Sequence, residues 1–269
     1  GLYALKLTYR VEESKGQYPS VAVAVNGKVP YREAAAINLM RRWENAEKDI
    51  KGLTNDTIPE QKEVSAEQTV YLRDNSEYYG GILYFYLNAG ENRVDIYQNA
   101  ESIKISGLVF ENYISPKAYA EAKAELHGEA YNGVPVIIEG ESAVYKSDAL
   151  LYAINDASSA GVSPSSPYKK YLNAIGGSAW SSPGQYLEWE FNAPEDGLYK
   201  IAVKYRQSTK IGMNSYRRIT IDGAAPYSEL EETEFAYSPA YNNLILSDEN
   251  GEPMAFYLTK GSHVLRIET

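Results

Sequence analysis

Gly1-Leu2-Tyr3 recurs 196 residues later as Gly197-Leu198-Tyr199, and the register then holds without a gap. Leu5, Leu7, Tyr9 and Arg10 fall on Ile201, Val203, Tyr205 and Arg206; Asn26-Gly27 falls on Asp222-Gly223, and Pro30-Tyr31 on Pro226-Tyr227. A second block, Phe85-Tyr86-Leu87, matches Phe256-Tyr257-Leu258 at an offset of 171, with Gly90 on Gly261, Val94 on Leu265 and Ile96 on Ile267. The change of offset leaves 25 extra residues in the first copy. Turn residues and strand phases coincide together, so whatever one copy folds into, the other folds into as well.

The phase itself is that of strands. Between Gly184 and Arg206, Leu187, Trp189 and Phe191 alternate with Tyr186, Glu188 and Glu190. Tyr199, Ile201, Val203 and Tyr205 then alternate with Lys200, Ala202, Lys204 and Arg206. A period of two puts one set toward a core and the other toward water. Asn192-Ala193-Pro194-Glu195-Asp196-Gly197 supplies the reversal between them. In the first copy the same logic predicts strands at Tyr3–Val11, Ser20–Val25, Val70–Leu72, Ile82–Leu87, Arg93–Tyr97 and Ser102–Phe110. The insertion, residues 41–62, mixes charges around Trp43 without a steady period and is expected to be a long loop with a short helix near Arg42 to Ile50. Ser115-Pro116 carries the signature of a helix start, and Gly128 that of a stop.

The expected architecture is therefore all-β: a first module over residues 1–114, a helical linker at 115–133 and a second module at 134–269. The second opens with a strand at Pro135–Glu141 and includes a polar loop around Tyr241-Asn242-Asn243. The first copy begins at the equivalent of Gly197, and the second stops before an equivalent of Ile103–Phe110. The expectation is a piece of a longer polypeptide with further domains, or two part-modules that complement each other.

Composition removes whole classes of function. The net charge of −10 and the lack of a basic run argue against nucleic acid. Without cysteine there are no disulfides, thiolates or Cys-type zinc sites. No apolar stretch reaches the length of a membrane helix, no signal peptide is present, and no membrane insertion is expected. Twenty-five tyrosines beside 5 Phe and 3 Trp suit sheet surfaces, and also faces that need a flat ring with a polar tip.

Ile137-Ile138-Glu139-Gly140-Glu141-Ser142-Ala143 resembles the Glu-x-Glu start of carbohydrate-binding modules of families 6 and 35. Gly176-Gly177 with Trp180, Gly184 to Trp189, Ala193-Pro194-Glu195-Asp196-Gly197 and Lys260-Gly261-Ser262-His263 follow in that family's order. The resemblance covers most of 135–269 and, through the repeat, part of 1–113. It implies two antiparallel β-sandwich modules of the galactose-binding-like, jelly-roll type. It further implies a structural calcium ion (Ca2+) held by Glu139 and Glu141, with an Asp beyond Thr269 as a further ligand.

For sugar, the chemistry calls for a ring against the C–H face of a pyranose and for amides and carboxylates on its hydroxyls. Trp180, Tyr168, Tyr171 and Asn173 before the central hairpin offer both, as do Tyr241, Asn242 and Asn243 near the end. Ordinary loop packing is the competing role for each. Nothing suggests catalysis: His127 and His263 have no triad partners in sequence, and Glu188 and Glu190 sit on the outward face of one strand. The reading is a non-catalytic segment of a secreted or surface-attached bacterial protein that binds an oligo- or polysaccharide, fitting the sugar-uptake solute-binding proteins. The alternative is a structural spacer or protein-interaction sandwich.

Overall fold

The computed structural model describes residues 1–12, 16–52, 55–75, 81–159 and 161–269. The chain is all-β and forms two compact units, one of residues 1–44 and 62–114, the other of 45–61 and 115–269.

Strands of the first stretch of chain are β1 (Leu2–Val11), β2 (Ser20–Val25), β3 (Ile37–Asn38), β4 (Trp43–Lys51), β5 (Thr57–Glu63), β6 (Gln68–Tyr71), β7 (Tyr84–Tyr86), β8 (Val94–Ala100) and β9 (Ile103–Glu111). In the first unit β1 is the centre of one sheet: β6 and β7 share one edge and β9 lies along the other, all antiparallel. A second sheet, in the order β3-β2-β8, faces it. Leu5, Leu7 and Tyr9 of β1 are 0% exposed and pack with Val21, Val23, Ile37, Leu72 and Phe85 in one sandwich core.

After these come a short helix, α1 (Tyr119–Ala122), and strands β10 (Tyr145–Lys146), β11 (Ala153–Ile154), β12 (Ala174–Ile175), β13 (Tyr186–Ala193), β14 (Gly197–Tyr199), β15 (Ala202–Gln207), β16 (Ser215–Ile221), β17 (Thr233–Phe235), β18 (Ser238–Ile245), β19 (Phe256–Leu258) and β20 (Gly261–Glu268). The second unit's main sheet runs β17-β16-β20-β13-β10-β4-β5. Opposite it stand the pairs β14–β19 and β15–β18. The core between them gathers Leu187, Trp189, Ile219, Leu265, Ile267, Phe256 and Leu258.

Four expectations are corrected here. Apart from Leu53 and Thr54, which lie outside the described residues, the insertion is neither loop nor helix. It is the β4–β5 hairpin, and its residues 45–61 belong to the second unit. β5 forms one edge of that sheet, and its burial is slight, so no apolar period marks it. Pro59, without an N–H, and flanking Lys and Glu suit a strand with one side unpaired.

The helix does not start at Ser115-Pro116. Ala118 precedes its first turn without a side-chain cap, and the Glu229 carboxylate, 110 residues away, accepts the Tyr119 N–H at 2.9 and 3.1 Å. Tyr119 is buried among Tyr227 and Phe256, so residues of the expected linker pack within the second unit.

Pro135–Glu141 is not a strand: the Glu139 carbonyl accepts both the N–H and the hydroxyl of Ser142, which turns Gly140–Ser142 into one 3-10 turn. Nor is 241–243 a loop. It lies within β18, where Asn242 and Asn243 pair with Tyr205 and Lys204. Both asparagines face solvent, which is why their composition reads as a loop.

The outward face of β13 also differs from a wet surface. Tyr186 is 0% exposed and Glu188 is buried, because the Arg266 guanidinium lies 3.4 Å from the Tyr186 ring centre and 3.6 Å from the Glu188 carboxylate.

Positions paired by the sequence offsets make like contacts in both units. The Tyr9 hydroxyl donates to Met40 O and that of Tyr205 to Ala236 O; Tyr31 donates to Tyr84 O and Tyr227 to Ala255 O. Asn26 and Asp222 both sit at φ 51° before a glycine, in the left-handed conformation a tight hairpin requires. The Asn26 side chain accepts the Arg93 N–H at 2.9 Å, and Asp222 accepts the Val264 N–H at 2.8 Å.

The partner of that turn differs in chemistry between units. In the first, the Asn26 amide donates to Asn92 Oδ1 at 3.0 Å; in the second, His263 faces Asp222 Oδ2 and Thr259 O, each at 2.7 Å. Burial disfavours the imidazolium, but the two acceptors and the Asp222 charge outweigh it and raise the His263 pKa above its ordinary 6.5. A group raised on folding stabilises fully below its unfolded pKa, and that contribution fades as pH rises through the folded value. Thermal unfolding followed from about pH 5.5 to about pH 9 should therefore show stability declining above neutrality. His263→Asn, which sets the residue found at position 92 of the first unit opposite Asp222 and removes the titrating ring, should flatten that slope; an unchanged slope would show that other groups set it.

Candidate functional site

The second unit holds a cleft of about 1050 Å³, bordered by Asp156, Asn173, Trp180, Arg206, Arg217 and Tyr241 among others. Its floor is sandwich interior, including Trp189, Phe191 and Val203.

One long loop, between β11 and β12, contributes Asp156, Val162, Ser163 and Asn173 to the lining. Asn173 is buried and fastens the two ends of that loop. Its Oδ1 accepts the Asp156 N–H at 2.7 Å, and its Nδ2 donates to Asp156 O at 3.1 Å and Pro164 O at 3.0 Å. Asn155 Nδ2 adds a bond to Tyr171 O at 2.6 Å. Held this way, the loop carries Tyr168 out at 93% exposure and Tyr171 at 39%.

Asp156 is the centre of a charged cluster. Its Oδ2 accepts the Tyr241 hydroxyl at 2.8 Å and lies 3.0 Å from Arg206 Nη1, while Oδ1 accepts the Ser158 N–H at 2.8 Å. Burial alone would raise this carboxyl; the hydrogen bonds from Ser158 and Tyr241 and the Arg206 charge prevail and hold it below the usual range. The Tyr241 hydroxyl is pushed up to about 12, first by burial and then by Asp156. Arg206 also stacks over the Tyr241 ring, its guanidinium 5.3 Å from the centroid. The cluster thus comprises an ionised carboxylate, a neutral phenol and a cation around one side of the cleft.

Trp180 is packed. Its Nε1 donates to Gln185 O at 3.1 Å, and Arg217 lies over its ring at 5.1 Å while donating to Trp180 O at 3.3 Å. Burial pushes the Arg217 guanidinium below its ordinary pKa. A side chain at Gly176, which has φ +96°, would meet the Trp180 ring at 2.9 Å, so this close approach requires glycine.

Of the residues proposed from sequence, Trp180, Asn173 and Tyr241 line the cleft together, and Glu139 borders it. Tyr168 and Tyr171 project from the loop. Asn242 and Asn243 lie exposed on β18, on alternate faces. Asp156, Arg206 and Arg217 were not anticipated: each gains its role through partners far away in sequence, and only the outward phase of Arg206 along β15 hinted at it.

Glu139 and Glu141 do not share a strand face; they flank the start of the 3-10 turn. Glu139 Oε1 accepts the Ser163 hydroxyl at 3.2 Å, and Glu141 Oε2 is buried without a hydrogen-bond partner. Burial raises the Glu141 carboxyl, and the Glu139 charge adds to the shift. An orphaned oxygen beside a second carboxylate fits the start of a hard-cation site. Among the described residues no group of three or more His, Asp or Glu converges there or elsewhere. No helix among them is long and apolar enough to cross a membrane.

No protein-family model matches the chain, and no curated protein matches it. Similar solved structures include a family 35 carbohydrate-binding module from Clostridium thermocellum, 25% identical over 51% of this chain and 86% of that one, with a TM-score of 0.35. Another is a Paenibacillus sp. cycloisomaltooligosaccharide glucanotransferase complexed with cycloisomaltoheptaose, 18% identical over 53% of this chain at a TM-score of 0.37. A third is a Podospora anserina GH26-CBM35 β-(1,4)-mannanase, 13% identical over 49% of this chain at a TM-score of 0.34. The chain spans 17% of the length of the glucanotransferase and 24% of the mannanase.

Proposed function

We propose that the second unit binds carbohydrate without transforming it, on the loop face that carries Tyr168 and Tyr171. One observation carries this reading: a loop fastened at both ends by a buried asparagine holds a tyrosine ring almost wholly in solvent. Exposing a flat ring on a fixed frame lowers the ordering cost of stacking a pyranose on it. The Asp156, Tyr241 and Arg206 cluster supplies acceptors and donors for hydroxyl groups. The Glu-x-Glu and hairpin motifs support the same reading. Within it, Glu139 and Glu141 would hold a calcium ion that neutralises the paired carboxylates, and the chain would act outside the cell or at its surface as part of a sugar-uptake or glycan-tethering protein.

A glycan array with and without calcium tests this, with a Tyr168→Ala/Tyr171→Ala variant alongside. Trp180→Ala is the poorer probe, since that ring is packed and its loss would disturb the fold. Selective binding should weaken about tenfold or more in the double variant, the loss expected for two stacking rings. Silence across plant, microbial and host glycans would replace the proposal with a spacer role.

A further inference from the structure

The two units differ at one edge. In the first, β9 lies antiparallel along β1 from Ala4↔Glu111 to Val11↔Ile103. Its Phe110, Leu108 and Ile105 stand opposite Leu5, Leu7 and Tyr9 of β1, which are 0% exposed. Of β9, Phe110 and Ile103 pack on that core, while Leu108 and Ile105 remain partly in solvent. The sequence offset carries residues 4–11 onto Lys200 to Gln207 of the second unit. There β18 and β19 cover one edge of β15 and β14, as β6 and β7 cover β1.

On the other edge, among the described residues, only Leu198 is taken. Its N–H and carbonyl bond Glu129 O and Tyr131 N at 2.9 Å each, in a parallel bridge at Ala130. Beyond it, no strand among the described residues pairs with the far edge of Lys200 to Gln207. The counterparts of the sealed core residues, Ile201, Val203 and Tyr205, are correspondingly half-buried, and all three line the cleft.

We propose that this edge accepts an added polypeptide strand, antiparallel to β15, with apolar side chains at alternate positions set against Ile201, Val203 and Tyr205. An unpaired row of N–H and C=O groups above an open apolar floor is what strand addition satisfies on both counts. The occupant is polypeptide of the β9 pattern, because that pattern fills the equivalent edge in the first unit. The register follows: an Ile-x-Ile start beside Gln207 and Tyr205, a small residue opposite Lys204, and Leu-x-Phe opposite Val203 and Ile201. The glycine of β9 at that central position, Gly107, sits against Thr8, where an added Cβ would meet the Thr8 side chain at 3.1 Å. The proposal does not rest on the sugar-binding reading, although Arg206 of that reading's charged cluster lies in the same stretch of β15.

The test uses the intact 269-residue chain and a labelled synthetic peptide of residues 103–111, with a scrambled peptide as control. Fluorescence anisotropy should show saturable binding of the ordered sequence only. Ile201 O accepts the Leu246 N–H, so Ile201, Val203 and Tyr205 bond toward β18 while Lys200, Ala202 and Lys204 aim their N–H groups at the open edge. Amide exchange at Lys200, Ala202 and Lys204 should be fast in the free chain and slow at least tenfold with the peptide bound. Three results would overturn the proposal: no binding at millimolar peptide, binding that leaves the Lys200, Ala202 and Lys204 amides unprotected, or those amides already protected without peptide. Protection of the same amides by an oligosaccharide instead would assign the edge to glycan.

Discussion

Arg41→Ala is expected to destabilise the first unit by about 3–5 kcal/mol, the loss typical of breaking a buried ion pair from one side. The Arg41 side chain is 4% exposed and meets Glu63 at 2.5 Å and Glu101 at 3.5 Å, with Glu101 itself only 3% exposed. Its Nε and Nη2 also donate to Gln17 O at 2.7 and 2.5 Å. Alanine removes the cation while leaving the Glu101 carboxylate out of water, and that uncompensated charge is the main cost. A domain has only about 5–15 kcal/mol of stability in total, so the unit would stand near unfolding. Amide exchange in β1 and β2, read against denaturant concentration, measures the loss. Arg41→Lys should recover part of it, since one ammonium replaces the charge but not the planar fork. A loss below about 1 kcal/mol, the range of a surface pair, would mean that the cluster is solvated in solution.

Trp189→Ala should have a comparable effect on the second unit, about 3–5 kcal/mol, the usual range for deleting a large buried aromatic. Trp189 is 6% exposed, lies opposite Leu265 in the central strand pair, and donates from Nε1 to Gly140 O at 2.9 Å. Removing the indole deepens a cleft the ring already borders and releases the turn that carries Glu139 and Glu141. Denaturation followed by near-ultraviolet circular dichroism reads the shift in midpoint. Trp189→Phe should keep most of the packing and lose the tie to Gly140. If alanine costs no more than phenylalanine, the core around Trp189 collapses to fill the gap.

The sandwich was legible in the sequence where one face of a strand is dry and the other wet. β2 was bounded correctly at Ser20–Val25, and the Asn-Gly and Asp-Gly turns sit where the left-handed backbone requires them. Elements whose cause is distant were not legible. The β4–β5 hairpin carries no apolar period because it lies at the margin of its sheet, and its place there is set by residues roughly a hundred positions later. The cap of α1 comes from Glu229, which no local motif could announce. In the candidate site, residue type singled out Tyr168 and Tyr171, on the β11–β12 loop, and Trp180, beyond β12, but type could not distinguish a ring in solvent from a ring under a guanidinium. Asn173 carries the amide that a sugar site needs, and the structure shows that amide spent on holding the loop together.

The hairpin of residues 45–61 has a consequence for how the chain is made. A ribosome releases this segment before its neighbour β10 exists, so it must wait, its two strands paired only with each other, until residues 145–146 have been made. Its charges and Pro59 make it tolerable in that interval, since neither favours self-association. The delay joins residues far apart in sequence and makes closure of the second sheet a late, slow event. It also means that the second unit is not contiguous: a fragment cut at Ser115 would leave behind two strands, bare the flank of β10, and strip the Asn45 side chain from buried Lys146.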